Sequence, residues 1–596
     1  MDAKSLQILE LPKILERLSK RTAFSAGLAL ALDLKPTTDL NAARLRQQET
    51  TEARRLLSVK TDLSIGGARD VRPHAQGATR GAVLDPEALL AVKGTLIAGR
   101  NLARALGKAR EQYPRLAFLA NGLADIPGLV EAIRLTLDER GEVLDSASEQ
   151  LANLRRELRV VHSRLLEKIQ RIVSDPRNAP YLQEAIVTQR DGRYVIPLKA
   201  DFKGRIRGVV HDQSASGATV FIEPLSTVEL NNEWRAMQLA EKEEIRRILA
   251  ALSAQVGHHA EPITHTVEAL ADLDLAFAKA RFADDLRASE PVLKGFGDKP
   301  KAEGGRQKAA RPPSDAQNPT ADESQSPSTN HQLPITSRSR PGSVIKLRQA
   351  RHPLLNPETV VAIDAEFDDE TYALVLTGPN TGGKTVSLKT VGLLALMAQC
   401  GLHLPAQSGS EISVFHKIFA DIGDEQSIEQ SLSTFSAHIT NTIRILKQAD
   451  DHSLVILDEL GSGTDPAEGS ALARAVLSYL LDMGATTLIA THYPELKGFA
   501  HNTAGVKNAS VEFDLRTLAP TYHLIIGLPG RSNAFAIAAR LGLDKTIIED
   551  AKKLIGQSDL EAGKLLEEIH RQREMARRER DRAARARAEA EEHERK

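Results

Sequence analysis

Tyr372-Ala373-Leu374-Val375-Leu376-Thr377 runs directly into Gly378-Pro379-Asn380-Thr381-Gly382-Gly383-Lys384-Thr385, and a helix-forming stretch starts at Val386. This order decides the fold. The apolar run reads as a buried strand. Glycines at 378, 382 and 383 let the backbone curl behind it, so that successive N–H groups point at phosphate oxygens. The N-terminus of the following helix adds its partial positive charge. Together they mark a phosphate-binding loop, in which Lys384 is expected to contact the β- and γ-phosphates of ATP and Thr385 to set its hydroxyl on Mg²⁺.

Two further strands complete the expected site. Ser453 to Leu457 is apolar and ends in Asp458-Glu459. Such a pair can simply cap a helix start, with Gly461 close behind. Beside a phosphate loop it divides its labour: Asp458 enters the Mg²⁺ shell and Glu459 orients or deprotonates the attacking water. Thr486 to Ala490 is a third strand, ending in Thr491-His492. Ligands of open α/β sheets bind at the C-terminal strand edge. His492, which elsewhere would be a satisfied structural imidazole, is therefore expected to sense the γ-phosphate. Strands and helices alternate over residues 343–556, which predicts a P-loop ATPase domain on a mixed, mainly parallel sheet.

Upstream the period changes. Residues 1–130 read as a helical core broken by turns such as Gly66-Gly67 and Asn121-Gly122. From Leu144 a heptad-like series, Leu151, Leu154, Leu158, Val161 and Leu165, gives one long helix with a stripe that seeks a partner. It should stop at Ser174-Asp175-Pro176. Strand-like runs then flank Asp191-Gly192, a hairpin turn, and continue at Ile206 to Val210 and Thr219 to Ile222. A second long helix carries Trp234, Met237, Ile245, Ile248 and Leu252. Residues 131–283 thus read as lever helices with a small β clamp at about 177–224, a geometry for reaching around something, although an ordinary α+β domain has the same pattern. The Pro-, Ser- and Gly-rich stretch 284–342 is expected to be a disordered linker, and 557–596 a solvated, charged connector helix. The fold class is therefore α plus α/β.

Bulk properties narrow the partners. The chain has 596 residues, more than one hydrophobic core supports. Its formal net charge of -1 supplies no global field towards nucleic acid or membrane, so any such contact must be local. Lys199, Lys203, Arg205 and Arg207 make one patch that permits phosphate contact and equally suits a solvated edge. The single cysteine, Cys400, fits a reducing cytoplasm and a buried apolar role. Leu6 to Leu18 form an amphipathic helix and not a signal peptide, and the apolar run Val391 to Gln399 is too short to span a bilayer. A soluble cytoplasmic protein without membrane partners is expected.

The motifs, taken together, resemble the MutS family of ABC-type ATPases. The phosphate loop GPNTGGKT has the Walker A form, Leu454 to Pro466 (LVILDELGSGTDP) the Walker B form, and ATHYPEL spans Ala490 to Leu496. In that family the segment written here SLSTFSAHI, Ser431 to Ile439, is a signature helix that reaches across a homodimer, which implies Ser433 and Thr434 as contacts to the partner's ATP. Taken alone it is only a capped helix start. YLQEAIVTQRDGRYVIPLKA, HDQSASGATVFIEP, RQARHPLL and YHLIIGLPGRSNAFAIAARLGL are closest to the second bacterial subgroup, the endonuclease-type, recombination-suppressing paralogues. Through this likeness His352, in Arg351-His352-Pro353, is implied near the adenine.

The resemblance also marks departures. Mismatch-binding members carry an N-terminal Phe-x-Glu wedge; Phe221-Ile222-Glu223 has that spelling but falls inside the expected clamp sheet. The subgroup's small C-terminal Smr nuclease domain is expected to be missing. Asp514-Leu515-Arg516 only faintly resembles an Smr motif, so no nuclease residues are assigned. The implied function is a DNA-binding ATPase acting on branched or recombination-intermediate DNA. The subgroup also implies an alternative, a sensor of stalled ribosomes that binds rRNA and splits subunits. An SMC-like tether would need its two motifs at opposite chain ends, and a transporter ATPase an LSGGQ-type signature; neither is present.

Overall fold

Asp191 and Gly192 both take positive φ, 47° and 72°, the left-handed pair that a two-residue hairpin demands. They join β1 (Thr188–Arg190) to β2 (Arg193–Lys199), with Arg190 opposite Arg193. β3 (Gly208–Gln213) and β4 (Thr219–Pro224) complete an antiparallel sheet of order β1-β2-β4-β3. The computed structural model describes residues 1–60, 63, 65–297, 342–367, 371–378, 383–423, 434–514, 519–530, 535, 538, 539, 542–553 and 575. The chain divides into two compact units: residues 22–30 with 60–275, and residues 1–21, 31–59 and 276 onwards.

In the first unit the heptad stripe becomes the helix Glu149–Ser174, capped by Ser148, whose side chain accepts from Leu151 N–H. It runs antiparallel to Val228–His258. Ser148 meets Glu244 at one end, Arg155 meets Glu241 further along, and Val161 and Leu165 pack on Trp234 beyond. Leu151, Leu252 and Val256 sit in a helical core with Leu89, Leu96 and Ile133. The β1–β4 sheet instead packs on Ile169 and Val173. From Leu151 to Val173 a helix rises about 33 Å, so the pair of helices separates the helical core from the small sheet.

In the second unit, β8 (Ala373–Thr377), β10 (Lys417–Asp421), β11 (Ser453–Leu457), β12 (Thr486–Thr491), β13 (Val506–Asp514) and β14 (Ala519–Ile526) form a sheet of order β10-β11-β12-β8-β13-β14. Every pairing is parallel except β13 with β14. β8, β11 and β12 are buried at every position, as strands covered on both faces must be. A second sheet, β5-β9-β6-β7, contains β5 (Val292–Lys294), β6 (Ile345–Ala350), β7 (Ile363–Phe367) and β9 (Glu411–Ser413).

The N-terminal helices pack into this unit. Ser5 Oγ accepts from Ala420 N–H at 2.9 Å, and Gln47 Nε2 donates to the carbonyls of Ala398 and Leu402 at 2.8 and 3.0 Å. Within the stretch expected as linker, Val292–Lys294 forms β5. β5 is paired with β9, and Gly297 N–H donates to Gly342 O at 3.1 Å, so these two residues lie side by side. Residues 298–341 themselves lie outside the described residues, as does the expected connector helix 557–596 apart from Met575. No single described helix is long and apolar enough to cross a membrane.

Candidate active site

Parallel register brings the strand ends of the second unit to one edge. Asp421 pairs with Leu457 and Thr491 with Thr377, so the chain leaves β11 into Asp458, β12 into His492 and β8 into the glycine loop side by side. Gly383, with φ of +94°, precedes the helix Lys384–Gln399. Of the expected loop, Gly378, Gly383, Lys384 and Thr385 are described; Pro379, Asn380, Thr381 and Gly382 are outside the described residues.

Lys384 is completely buried, and its amine donates to Gly378 O at 2.8 Å, closing the loop across its own base. The same amine lies 3.2 Å from His492 Nε2, and His492 Nε2 lies 3.9 Å from Glu459 Oε1. Thr385 Oγ1 donates to Asp458 Oδ2 at 2.6 Å. The structure thus brings Lys384, Thr385, Asp458, Glu459 and His492 into one cluster. Glu459 holds a positive φ of 52°, a costly backbone for a side chain with a Cβ, directly after the strand end.

The electrostatics fit an anion bound with a cation. Burial lowers the Lys384 pKa to about 8, against the pull of Asp458 and Glu459. Burial pushes Asp458 up, reinforced by Glu459 and opposed by the Thr385 hydroxyl. His492 is held below its usual range by burial and by the neighbouring Lys384. Each group is charged at a cost that a polyanion and a metal ion would relieve. Among the described residues, Asp458 Oδ1 is buried without a hydrogen-bond partner, while Oδ2 already faces the Thr385 hydroxyl. One carboxylate oxygen and one hydroxyl, with phosphate oxygens supplying the rest, is a donor set suited to Mg²⁺.

The loop after Glu459 is pinned as well. Tyr493 OH donates to Gly461 O at 2.6 Å, tying the strand end that bears His492 to the segment behind Asp458-Glu459. Asp458 N–H donates to Asp421 O at 2.8 Å. The buried Asp421 carboxylate holds His438 Nδ1 at 2.9 Å and Asn441 Nδ2 at 2.8 Å, both on the helix Thr434–Gln448. The expected signature helix is therefore joined to the edge strand beside Asp458. Thr434 begins that helix, and Ser433 lies outside the described residues. His352 is buried with Glu10, Arg17 and Lys389 around it, and burial lowers its pKa to about 4. Its Nδ1 accepts from Leu354 N–H at 3.4 Å.

Sequence reasoning missed Lys497, Gly530 and Tyr522. Lys497 Nζ donates to Gly530 O at 2.7 Å, and its pKa is lowered by burial. Gly530 N–H donates to Thr377 Oγ1 at 2.6 Å, at the mouth of the phosphate loop. The signal for Lys497 was a lone cation in the helix Pro494–Asn502, which starts just after His492. For Gly530 it was the Pro529-Gly530 pair, a dipeptide that marks a turn.

A family model, MutS domain V, matches residues 374–559, the span that contains this cluster. Proteins named Endonuclease MutS2 match far more of the chain. That of Pelotomaculum thermopropionicum is 45% identical over 579 residues, 97% of this chain and 68% of its own. That of Thermomicrobium roseum is 46% identical over 579 residues with the same coverage, and that of Geobacillus thermodenitrificans 43%. Identity at that level along nearly the whole chain places both compact units in one lineage: the chain belongs to the MutS family, in its MutS2 subgroup.

Proposed function

We propose that the chain is an ATP hydrolase that works as a homodimer on branched or recombination-intermediate DNA, so that its action suppresses homologous recombination. The observation that carries this reading is the convergence of Lys384, Thr385–Asp458 and Glu459–His492 at one sheet edge. Lys384 draws on the β- and γ-phosphate oxygens, and Thr385 with Asp458 holds Mg²⁺. Mg²⁺ held there would supply charge neutralisation on the phosphates. Glu459 orients the water and accepts its proton, while His492, within reach of both Lys384 and Glu459, senses the γ-phosphate. Preorganised charge of this kind supplies most of the rate enhancement in phosphoryl transfer.

The dimer reading rests on family membership and on the helix Thr434–Gln448, which Asp421 ties to the Asp458 strand end. Closure of two such units would drive the helical pair and its sheet around nucleic acid. Lys203, Arg205 and Arg207 are exposed between β2 and β3, where they suit a phosphate backbone. Ribosomal RNA offers the same chemistry, so a stalled ribosome is the competing substrate.

Glu459→Gln should bind ATP, hydrolyse it at least about a hundredfold more slowly, and sediment as a trapped dimer. Cosedimentation of that variant with four-way DNA junctions and, separately, with ribosomes identifies the substrate. ATP-dependent binding to ribosomes alone would replace the DNA reading, and binding to neither would remove both. Retained nucleotide affinity in Lys384→Ala would overturn the site itself.

A further inference from the structure

β13 and β14 do not pair evenly. Val511 lies opposite Leu524 and Phe513 opposite Pro520, so Thr521, Tyr522 and His523 all face Glu512. Tyr522 takes φ of 62° inside this bulge. A left-handed backbone is costly for a bulky aromatic, and bulges re-aim side chains next to active sites. The Tyr522 ring is aimed at Gly383: a Cβ placed on that glycine would lie 2.5 Å from Tyr522 Cδ1 and 3.1 Å from Cε1. Burial does not account for the strain, because Tyr522 remains 42% exposed.

The same length of chain touches the other end of the loop. Gly530 N–H reaches Thr377 Oγ1, and the Gly530 carbonyl is held by Lys497. Residues 522 and 530 therefore bracket the glycine loop, one against its last glycine and one against its first turn. Gly383 needs its positive φ to turn the N–H groups of the helix start inward, and without support a glycine there is the softest point of the loop.

We propose that Tyr522 is a positioning residue for the nucleoside triphosphate: its bulge-held ring braces Gly383, so that the helix start is already turned for phosphate before nucleotide arrives. The strained Tyr522 backbone is the cost, and a smaller ordering cost on binding is the gain. The inference rests on the phosphate-loop reading, and its test separates the two.

In the full chain, Tyr522→Asn keeps a residue that tolerates the left-handed backbone but removes the ring. It should raise the ATP Kd, measured calorimetrically, about tenfold. Saturated kcat should stay within about twofold, because bracing acts on binding and not on the water or Mg²⁺ groups. Tyr522→Phe should bind within about twofold of the parent, since the ring and not the hydroxyl meets Gly383. Should Asn unfold the strand, Tyr522→Gly, free of strain at this φ, takes its place with the same expectation. Parent-like ATP affinity in the ring-less variant, or a Phe variant as weak as the Asn variant, overturns the proposal. Lys384→Ala is the control. If it abolishes binding while Tyr522→Asn does nothing, only the bracing role falls; if it leaves binding intact, the phosphate-loop reading falls and takes this inference with it.

Discussion

The Thr385 hydroxyl donates to Asp458 Oδ2 across 2.6 Å, joining the first turn after the phosphate loop to the end of the neighbouring strand. The second carboxylate oxygen is buried and has no hydrogen-bond partner among the described residues. Asp458→Asn preserves the shape and an acceptor for Thr385 but removes the charge a hard cation requires. The variant should bind ATP without Mg²⁺ about as well as the parent, yet gain roughly tenfold less from adding it. Calorimetric titration with and without Mg²⁺ reads this directly; an undiminished metal-dependent gain would show that another residue holds the ion.

Lys384 gives the nucleotide affinity a pH signature. Burial holds its pKa down to about 8, so the protein alone loses this charge as pH rises through that value. A bound triphosphate favours the ammonium, so binding above about pH 8 takes up a proton, and affinity should fall by up to about tenfold per pH unit. Below about pH 7 the amine is already charged and the dependence should vanish. Binding enthalpies at pH 9 in two buffers of different ionisation heat measure the uptake. Constant affinity from pH 7 to beyond 9 would mean that the amine never discharges.

The cluster around Lys384 was readable because each part carries its own local pattern. An apolar run ends in glycines, another in two carboxylates and a third in His492, and parallel strands bring their ends to one edge. The second sheet had no such signal. β5 and β9 are three residues each, too short for a period, and they pair across more than a hundred residues of chain. The N-terminal helices were legible as helices, but nothing in an amphipathic stripe says which core it meets; that Ser5 would reach Ala420 was invisible. Tyr522 escaped notice for a similar reason, since its function lies in a bulge and not in a motif.

Gly297 and Gly342 meet in a backbone hydrogen bond, so the two ends flanking residues 298–341 are already together. Replacing residues 298–341 by about five Gly/Ser residues shortens the closed loop roughly eightfold and should lower its closure cost by about 2 kcal/mol. The unfolding midpoint should stay or rise, and the ATP Kd should not move. A lower midpoint would reveal that residues 298–341 contribute packing of their own.

His352 and His403 are both buried, and burial holds each pKa down to about 4. In the unfolded chain they take up protons near 6.5, so the stability of the neutral forms is complete above that pH and is lost as pH falls towards 4. Each histidine contributes a slope of up to about 1.4 kcal/mol per pH unit in this window. His403→Gln retains a polar partner for Thr51 Oγ1, which now meets His403 Nε2 at 3.0 Å. It should be less stable than the parent at neutral pH but flatter between about pH 6.5 and 4.5. Urea titrations across that range decide the matter, and an unchanged slope would place the acid sensitivity elsewhere.

Gly530 and Thr377 supply the most demanding test of the bracketed loop. The Gly530 N–H bonds the Thr377 hydroxyl at 2.6 Å in a buried setting, and a Cβ at position 530 would overlap the Thr377 carbonyl. Gly530→Ala must therefore push the segment away from the strand, and Thr377→Val strands the same buried N–H; each should cost about 1–3 kcal/mol. If both act through this one contact, the second substitution finds it already broken, and the double variant should lose about 1 kcal/mol less than the sum. Urea unfolding of the four proteins gives that coupling. Strict additivity would mean that the alanine clash and the stranded amide are separate injuries, and that the segment after β14 merely lies beside the phosphate loop without holding it.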